Sequence, residues 1–253
     1  MSLAERVKST GAKILVVDME RLCGLARVWD QKTNFVPATN FVRMPMTLCF
    51  AAKWYGSKTT EFHAAWDDFD AMVQRSWEMY DEAEIVVTYN GKRFDNLHFA
   101  GDWLKAGLPA PRPWKDVDLY QSNRFGYTSR SLNHLCQQLG LDVKSGKYSM
   151  DMAEACMDGD EKAQRTMRTY NVGDVKIAEQ AYDRVRGYLP NHPHIGEIVK
   201  DVRRCNQCGS TDLKRNGTTR AIVIDYVLYR CGDCGANVKG TRHSRSAITR
   251  GAR

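Results

Sequence analysis

The chain has 253 residues, of which 43% are hydrophobic and 26% charged, as expected for a globular protein with one full-sized domain and a small appendage. Its apolar runs, such as residues 14–17, are far too short to span a bilayer, and the first 13 residues lack the apolar core of a signal peptide. These features exclude a membrane protein and predict a cytoplasmic one.

The net charge of +7 is concentrated near the C-terminus. Residues 1–200 hold 26 basic and 26 acidic residues, whereas residues 201–253 hold 11 basic and 4 acidic ones. A segment with this charge attracts polyanions, and nucleic acid is the default candidate. The alternative, from charge alone, is a solvated basic segment without a partner.

Predicted strands and helices alternate along the first 190 residues. Strands are predicted at Lys13–Asp18, Ala26–Asp30, Thr47–Tyr55, Glu84–Tyr89 and Val117–Leu119, and helices at Ala64–Glu84, Asp95–Leu104, Ser131–Leu139 and Asp160–Leu189. This alternation indicates an α/β domain over residues 1–190. Two prolines and a glycine within 190–196 predict a linker at 191–200.

Acidic residues follow two of the strands and recur on the last helix. Asp18 and Glu20 stand one residue apart at the end of the first strand, so their side chains share one face of the sheet. Asp95 follows the strand at 84–89 after a turn. Tyr170 and Asp174 are four residues apart on the long helix and therefore project from one helical face. Taken singly, each pattern is also typical of an ordinary polar strand end, turn or helix.

Taken together, the three patterns resemble a family signature. The order D-x-E, then N-x3-F-D, then Y-x3-D resembles that of the DEDD 3′→5′ exonucleases, in the variant that ends with tyrosine. The segments AEIVVTYNGKRFD and YNVGDV are similar to stand-alone, often phage-encoded relatives of polymerase-B proofreading domains. The histidine variant would have its histidine where this chain has Thr169.

The resemblance covers about residues 13–195 and implies a ribonuclease H-like fold, in which helices flank a mixed five-stranded sheet. If the chain is phage-encoded, it would work in the host cytoplasm.

The resemblance also implies two Mg²⁺ or Mn²⁺ ions. Asp18 would bridge both ions, and Glu20 and Asp174 would complete the first metal site. Asp95 would hold the second ion through water. Tyr170, whose reference pKa of about 10 makes it a poor general base, would aim the attacking water.

Residues beside the motifs are candidates for contacts with nucleic acid. Many family members have threonine or serine after the glutamate, but this chain has Arg21, so its contact with a 3′ end must differ. Lys92 and Arg93 could contact phosphates, and Asn90 lies in the same turn. The alternatives are a surface salt bridge for Arg21, exposed turn cations for Lys92 and Arg93, and a turn-fixing role for Asn90.

Four cysteines form two C-x2-C pairs, each followed by glycine. The pairs are Cys205 with Cys208 and Cys231 with Cys234, and 22 residues separate them. In a cytoplasmic chain this pattern predicts zinc rather than disulfides. The strand-like segment between the pairs completes the layout of a zinc ribbon over residues 201–240. Four cysteines leave no open position, so one Zn²⁺ is expected to be structural. Residues 241–253 are predicted to be a disordered basic tail.

The sequence therefore predicts a two-metal 3′→5′ exonuclease, with single-stranded DNA favoured over RNA. The alternatives are a structure-selective endonuclease on the same fold and a non-catalytic nucleic-acid-binding module, against which the intact acids and tyrosine argue. The zinc ribbon is expected to bind the substrate backbone. The alternative is that it docks a replication or repair protein.

Overall fold

The computed structural model describes residues 4–5, 7, 11–122, 125–143, 146–189, 192–193, 195, 203–220 and 224–246. The chain forms two compact units, one of residues 13–181 and one of residues 1–12 with 182–253. The division falls inside the last long helix, ahead of the predicted linker at 191–200. Most of that linker lies outside the described residues, so it stays a prediction.

A mixed sheet of five strands forms the centre of the first unit. The strands are β1 (Ile14–Leu22), β4 (Met46–Trp54), β5 (Glu61–Ala64), β6 (Ile85–Thr88) and β7 (Lys115–Asp118), and a short pair, β2 (Leu25–Ala26) and β3 (Phe41–Arg43), follows β1. The order in the sheet is β5-β4-β1-β6-β7. Within this sheet β4 is antiparallel to both neighbours, whereas β1, β6 and β7 run parallel.

Helices connect and cover these strands. They are α1 (Ala65–Glu82), α2 (Asp95–Lys105), α3 (Leu119–Ser122), α4 (Leu132–Leu139), α5 (Met150–Met157) and α6 (Glu161–Val185), with 3₁₀ turns at Ala38–Asn40 and Arg186–Tyr188. Ser131 and Ser149 cap α4 and α5, because each side-chain oxygen accepts the N–H three residues later. No helix in the described part of the chain is long and apolar enough to cross a membrane.

Alternate residues of β1 face opposite layers. Val17 and Met19 pack into a core with residues of α1 and α2, whereas Leu22 packs into a second core with residues of α5 and α6. Asp18 and Glu20 alternate with the first pair and therefore lie on the face of Leu22. The strand order, the antiparallel second strand of the sheet and the flanking helices are those of the ribonuclease H-like fold, which confirms the predicted fold class.

The second unit contains a three-stranded antiparallel sheet. Its strands are β8 (Leu213–Arg220), β9 (Ile224–Cys231) and β10 (Asn237–Ser246), in the order β10-β9-β8. Buried cysteines form its small core together with Ala236 and Val238. β10 extends six residues into the predicted tail at 241–253, because the main chain there pairs with β9. Residues 247–253 lie outside the described residues.

The prediction of a strand at Ala26–Asp30 is wrong beyond its first residue. Strand pairing stops at Ala26, and residues 27–30 are exposed, with no strand of the described residues paired to them. β5 and α5 were not predicted. β5 is only four residues long, and α5 carries few strongly apolar residues outside its methionines.

Candidate active site and cysteine cluster

Three carboxylates meet beside the second half of β1. Asp18 and Glu20 pair in register with Ala51 and Cys49 of β4, and a bulge follows directly after Glu20. Asp174 enters from α6 and is buried, whereas the two strand acids are partly exposed. One oxygen from each of the three carboxylates lies within 4.8 Å of the others, a spacing at which they could hold a metal ion. The structure thus brings together three of the predicted ligands.

Asn171 holds the carboxylate of Asp18. Its amide nitrogen donates to Oδ2 of Asp18 at 2.7 Å and to the main-chain oxygen of the same residue at 3.3 Å. The side chain is fully buried, and its amide oxygen has no hydrogen-bond partner among the described residues. Asn171 was not among the predicted site residues, although its three-residue spacing to Asp174 places both on one helical face.

Asp95 lies behind this cluster at the start of α2. Its Oδ1 accepts the main-chain N–H of Met19, the residue between the two strand acids, at 3.0 Å. Burial raises the pKa of the Asp95 carboxyl to about 7, although hydrogen bonds from the N–H groups of Asp95 and Met19 oppose the shift. The negative charge of Asp118 raises this pKa further. Asp95 is not one of the three converging carboxylates.

The turn before Asp95 depends on its backbone geometry. Asn90 has φ of 72°, in the left-handed region that asparagine tolerates better than most residues. A Cβ on Gly91 would lie 2.3 Å from Oγ1 of Thr88, so only glycine fits there. Asp118, at the end of β7, accepts the N–H groups of Asn90 at 2.9 Å and Lys92 at 3.2 Å. Asp118 therefore fixes the turn that presents Asp95.

Contacts on either side of Asp174 hold α6 in place. Tyr170 is partly buried and packs against the core that contains Leu22 and Cys156. Five residues after Asp174, the carboxylate of Glu179 accepts hydrogen bonds from Lys53 Nζ and, at 2.7 Å, from the main-chain N–H of Gly56. These contacts fix the part of α6 that carries Tyr170 and Asp174.

The cations predicted to touch nucleic acid lie in different surroundings. Lys92 and Arg93 are exposed at the turn before α2. Arg21 is half-buried: burial lowers the pKa of its guanidinium, and the charge of Asp102 partly offsets that shift. Arg21 therefore lies in the electrostatic field of α2, a placement that its sequence position did not indicate.

The four paired cysteines converge in the second unit. Their sulfur atoms lie within 4.8 Å of one another, and none of the four forms a disulfide. Cys205 Sγ is 3.6 Å from Cys234 Sγ, and Cys208 Sγ is 3.7 Å from Cys231 Sγ. Four thiols at this separation could hold one metal ion.

The two C-x2-C turns have matching backbone hydrogen bonds. The N–H of Gly209 donates to the carbonyl of Cys205 at 2.9 Å, and the N–H of Gly235 donates to that of Cys231 at 3.1 Å. Both glycines have φ near +70°, which glycine adopts readily. The N–H groups of Cys205 and Cys231 in turn donate to the carbonyls five residues later. The sequence has a glycine after each pair, and this backbone geometry is the reason for it.

A buried arginine links the first C-x2-C turn to Tyr182 near the end of α6. Arg186 is 1% exposed, stacks over the ring of Tyr182 at 4.5 Å and donates to the carbonyl of Gln207, between Cys205 and Cys208. His192 accepts from the Tyr182 hydroxyl through Nε2 at 2.6 Å, because its Nδ1 donates to the carbonyl of Pro193. Burial, and then the charge of Arg186, lowers the pKa of His192 to about 3.

Comparison with known proteins gives structural neighbours only. No family model and no curated protein matches the chain. Among solved structures, the family B DNA polymerase of the hyperthermophilic archaeon Pyrobaculum calidifontis is similar at 13% identity and a TM-score of 0.46, over 84% of this chain and 31% of the polymerase. RNase D of Trypanosoma brucei is similar at 13% identity and a TM-score of 0.43, over 75% of this chain and 61% of the RNase D. The chain thus spans about a third of the first protein and three-fifths of the second.

Proposed function

We propose that the protein is a 3′→5′ exonuclease that uses two divalent metal ions and acts on single-stranded DNA. The observation that carries the proposal is the convergence of Asp18, Glu20 and Asp174, with one oxygen of each within 4.8 Å of the others, on a ribonuclease H-like sheet. The direction of digestion follows from the resemblance of the three motifs to the tyrosine-type DEDD signature.

The donor set suits Mg²⁺ or Mn²⁺, since both ions prefer carboxylate oxygens. Asp18, Glu20 and Asp174 would hold one ion, and Asp18 with Asp95 would hold the second. The fit is supported by Asp95, whose burial disfavours a bare negative charge and so favours a cation nearby. When bound, the ions lower the pKa of the attacking water and stabilise the charge that develops on the leaving 3′-oxygen.

The chain's own groups would position the reactants. Asn171 fixes one oxygen of Asp18 by its 2.7 Å hydrogen bond, which restricts how the carboxylate can turn. Tyr170 would donate a hydrogen bond to the attacking water without taking its proton, because a phenol with a reference pKa of about 10 remains protonated at neutral pH. Lys92 and Arg93, both exposed beside the second motif, would attract the phosphate backbone.

The cysteine cluster would hold one structural Zn²⁺. Four thiols fill a tetrahedral zinc shell and leave no position for substrate. Four thiolates and one Zn²⁺ together contribute about −2, which leaves residues 201–253 at about +5. This remaining positive charge supports binding of the substrate backbone by the second unit rather than docking of a replication or repair protein.

The test of the catalytic proposal uses 5′-labelled, 3′-labelled and circular single-stranded DNA with Mg²⁺ or Mn²⁺. We expect a ladder of shortened 5′-labelled products, an intact circle, and loss of cleavage in Asp18→Asn. Asp70→Asn, which changes an exposed carboxylate on α1, is the matched control and should cleave normally. Cutting of the circle would assign a structure-selective endonuclease instead, and binding without cleavage of DNA or RNA would leave a binding module.

A second measurement separates the two roles of the C-terminal unit. Lys214 and Arg215 are exposed on β8. If they contact phosphates, the double variant Lys214→Gln/Arg215→Gln should reduce the slope of log affinity against log salt by about 1.4 for a single strand. An unchanged slope would favour a protein partner for this unit. Parallel assays with RNA of the same sequence establish which nucleic acid is preferred.

A further inference from the structure

A hairpin arm, defined as residues 23–45, follows β1 directly beyond the carboxylates. β2 and β3 pair near its base, and the N–H of Arg27 donates to the carbonyl of Asn40 at 2.9 Å. Trp29 lies nine positions after Glu20, at most about 31 Å of extended chain. A short single strand whose 3′ end lies at the carboxylates could therefore extend as far as the arm.

The base of the arm is fixed to the first unit. Arg43 forms a two-pronged ion pair with Glu154 on α5, and its guanidinium also donates to the carbonyl of Cys23 at 3.0 Å. A Cβ on Gly24 would lie 2.7 Å from the Phe41 ring, so the two sides of the hairpin are in close contact here. These contacts give the arm a defined direction from the sheet.

The outer part of the arm exposes aromatic and aliphatic side chains. Trp29 is 100% exposed and Phe35 is 77% exposed, and Val28 and Val42 are at least half exposed. A surface groove of about 590 Å³ runs between the two sides, lined by Trp29, Phe41 and their neighbours. Large apolar side chains grouped on a surface in this way mark a binding site rather than scattered exposure.

The charges of the arm indicate which kind of ligand it binds. Arg27 and Lys32 are exposed and form no ion pair among the described residues, whereas the acid of the arm, Asp30, accepts the N–H of Lys32. The arm therefore carries a positive charge beside its aromatic rings. Aromatic rings on which bases stack, next to cations that attract phosphates, are the combination by which proteins hold single-stranded nucleic acid.

We infer that the hairpin arm binds the single strand upstream of the 3′ end that enters the active site, with a base stacked on Trp29 and phosphates beside Arg27 and Lys32. This inference rests on the proposed function for its substrate class. The arm would lengthen the bound segment without taking part in the chemistry. Affinity would therefore increase with oligonucleotide length until the strand reaches Trp29.

The experiment measures binding of fluorescent oligothymidylates of increasing length, without Mg²⁺ or Mn²⁺, to wild type and four variants. We expect Trp29→Ala to weaken binding of the long oligonucleotides about tenfold, as loss of one stacked aromatic typically does. Trp29→Phe should restore most of this loss, while Trp29→Leu should not, since leucine keeps apolar area but cannot stack. Leu104→Ala, at another exposed apolar residue, is the matched control and should bind as wild type does.

The outcomes separate this inference from the proposed function. Equal binding by Trp29→Ala and wild type would overturn the inference and leave the apolar surface to a protein partner. Equal rescue by leucine and phenylalanine would overturn base stacking. Cleavage is assayed separately on wild type with Mg²⁺. If wild type binds through Trp29 but does not cleave, the exonuclease proposal is contradicted and the role of the arm is supported. If wild type cleaves and Trp29→Ala binds as tightly as wild type, the exonuclease proposal is supported and the role of the arm is contradicted.

Discussion

The carboxylate site and the cysteine cluster each gather potential metal ligands within 4.8 Å, but the chain assembles them differently. The carboxylates come from β1 and α6, more than 150 residues apart, and two of the three are partly exposed. The thiols come from two short turns, and three of the four are buried. A fold with a large apolar core can carry an open site that contributes little to its stability. A small unit whose core consists largely of cysteines would depend on the metal that these thiols are proposed to hold.

Removal of the proposed zinc ion from the second unit should have the largest effect. Zinc binding to structural cysteine sites has an apparent free energy of about 10–16 kcal/mol, which becomes folding free energy. We expect Cys231→Ser to lose the bound zinc and the dispersed amide resonances of β8 to β10, while those of the five-stranded sheet persist. Cys23→Ser, outside the cluster, should retain one zinc per chain. Metal analysis and two-dimensional NMR measure both quantities, and an unchanged β9 in zinc-free Cys231→Ser would mean that the thiols pack without metal.

Asp95→Asn tests whether, at the carboxylate site, a residue proposed to serve activity lowers the stability of the fold. Its folded-state pKa of about 7 lies above the unfolded value of about 3.9, so the folded carboxyl binds its proton more tightly. Stability is therefore lost as pH rises from about 4 through 7, where the buried group ionises. The variant cannot ionise, and its amide oxygen can still accept the N–H of Met19.

We expect Asp95→Asn to lower cleavage about a hundredfold or more, as loss of one strong electrostatic contact in an active site does. Without Mg²⁺ or Mn²⁺, its free energy of unfolding should exceed that of wild type at pH 8 by on the order of 1–2 kcal/mol, and by less at pH 5. Thermal unfolding at the two pH values checks this, with Asp70→Asn as the control. A variant less stable than wild type at pH 8 would mean that the ionised carboxylate stabilises the fold.

The sequence could predict those features of the two sites that depend on residues close together in the chain. Period-two alternation placed Asp18 and Glu20 on one face, and helical spacing placed Tyr170 and Asp174 together, because these relations lie within single elements. The cysteine turns were predictable because each turn is local and repeats the same glycine.

Contacts between distant elements were not predictable in this way. The hydrogen bond from Asn171 to Asp18 joins residues 153 positions apart, and no local pattern encodes it. The burial of Arg186 was equally hidden, since an arginine on a helix is usually exposed. The strand β10 was not predicted because its last six residues, 241–246, are all polar or charged and show no apolar alternation. They form a strand because their main chain pairs with β9.

Replacement of Asn171 should have a smaller effect on activity, and it tests how the carboxylate of Asp18 is positioned. We expect Asn171→Ala to free the Asp18 carboxylate, to lower cleavage by about 10–100-fold and to raise the Mn²⁺ concentration needed for half-maximal activity by a similar factor. A loss of packing alone would lower thermal stability without moving the metal midpoint. Val172→Ala, the neighbouring and partly exposed position, is the matched control. An unchanged metal midpoint in Asn171→Ala would limit Asn171 to a structural role.

The smallest predicted effect is a loss of stability of the second unit at acidic pH. His192 is buried and neutral, and its folded-state pKa of about 3 lies below the unfolded value of about 6.5. The unfolded chain therefore binds the extra proton, and stability falls as pH drops from about 6.5 towards 3. Between pH 7.5 and 5.5 this should lower the free energy of unfolding of wild type by about 1.4 kcal/mol more than that of His192→Gln. His134→Gln, on α4, should behave as wild type. Protonation of the thiols acts equally on all three proteins and cancels in the difference, so equal acid losses in wild type and His192→Gln would assign the acid sensitivity to the cysteine cluster alone.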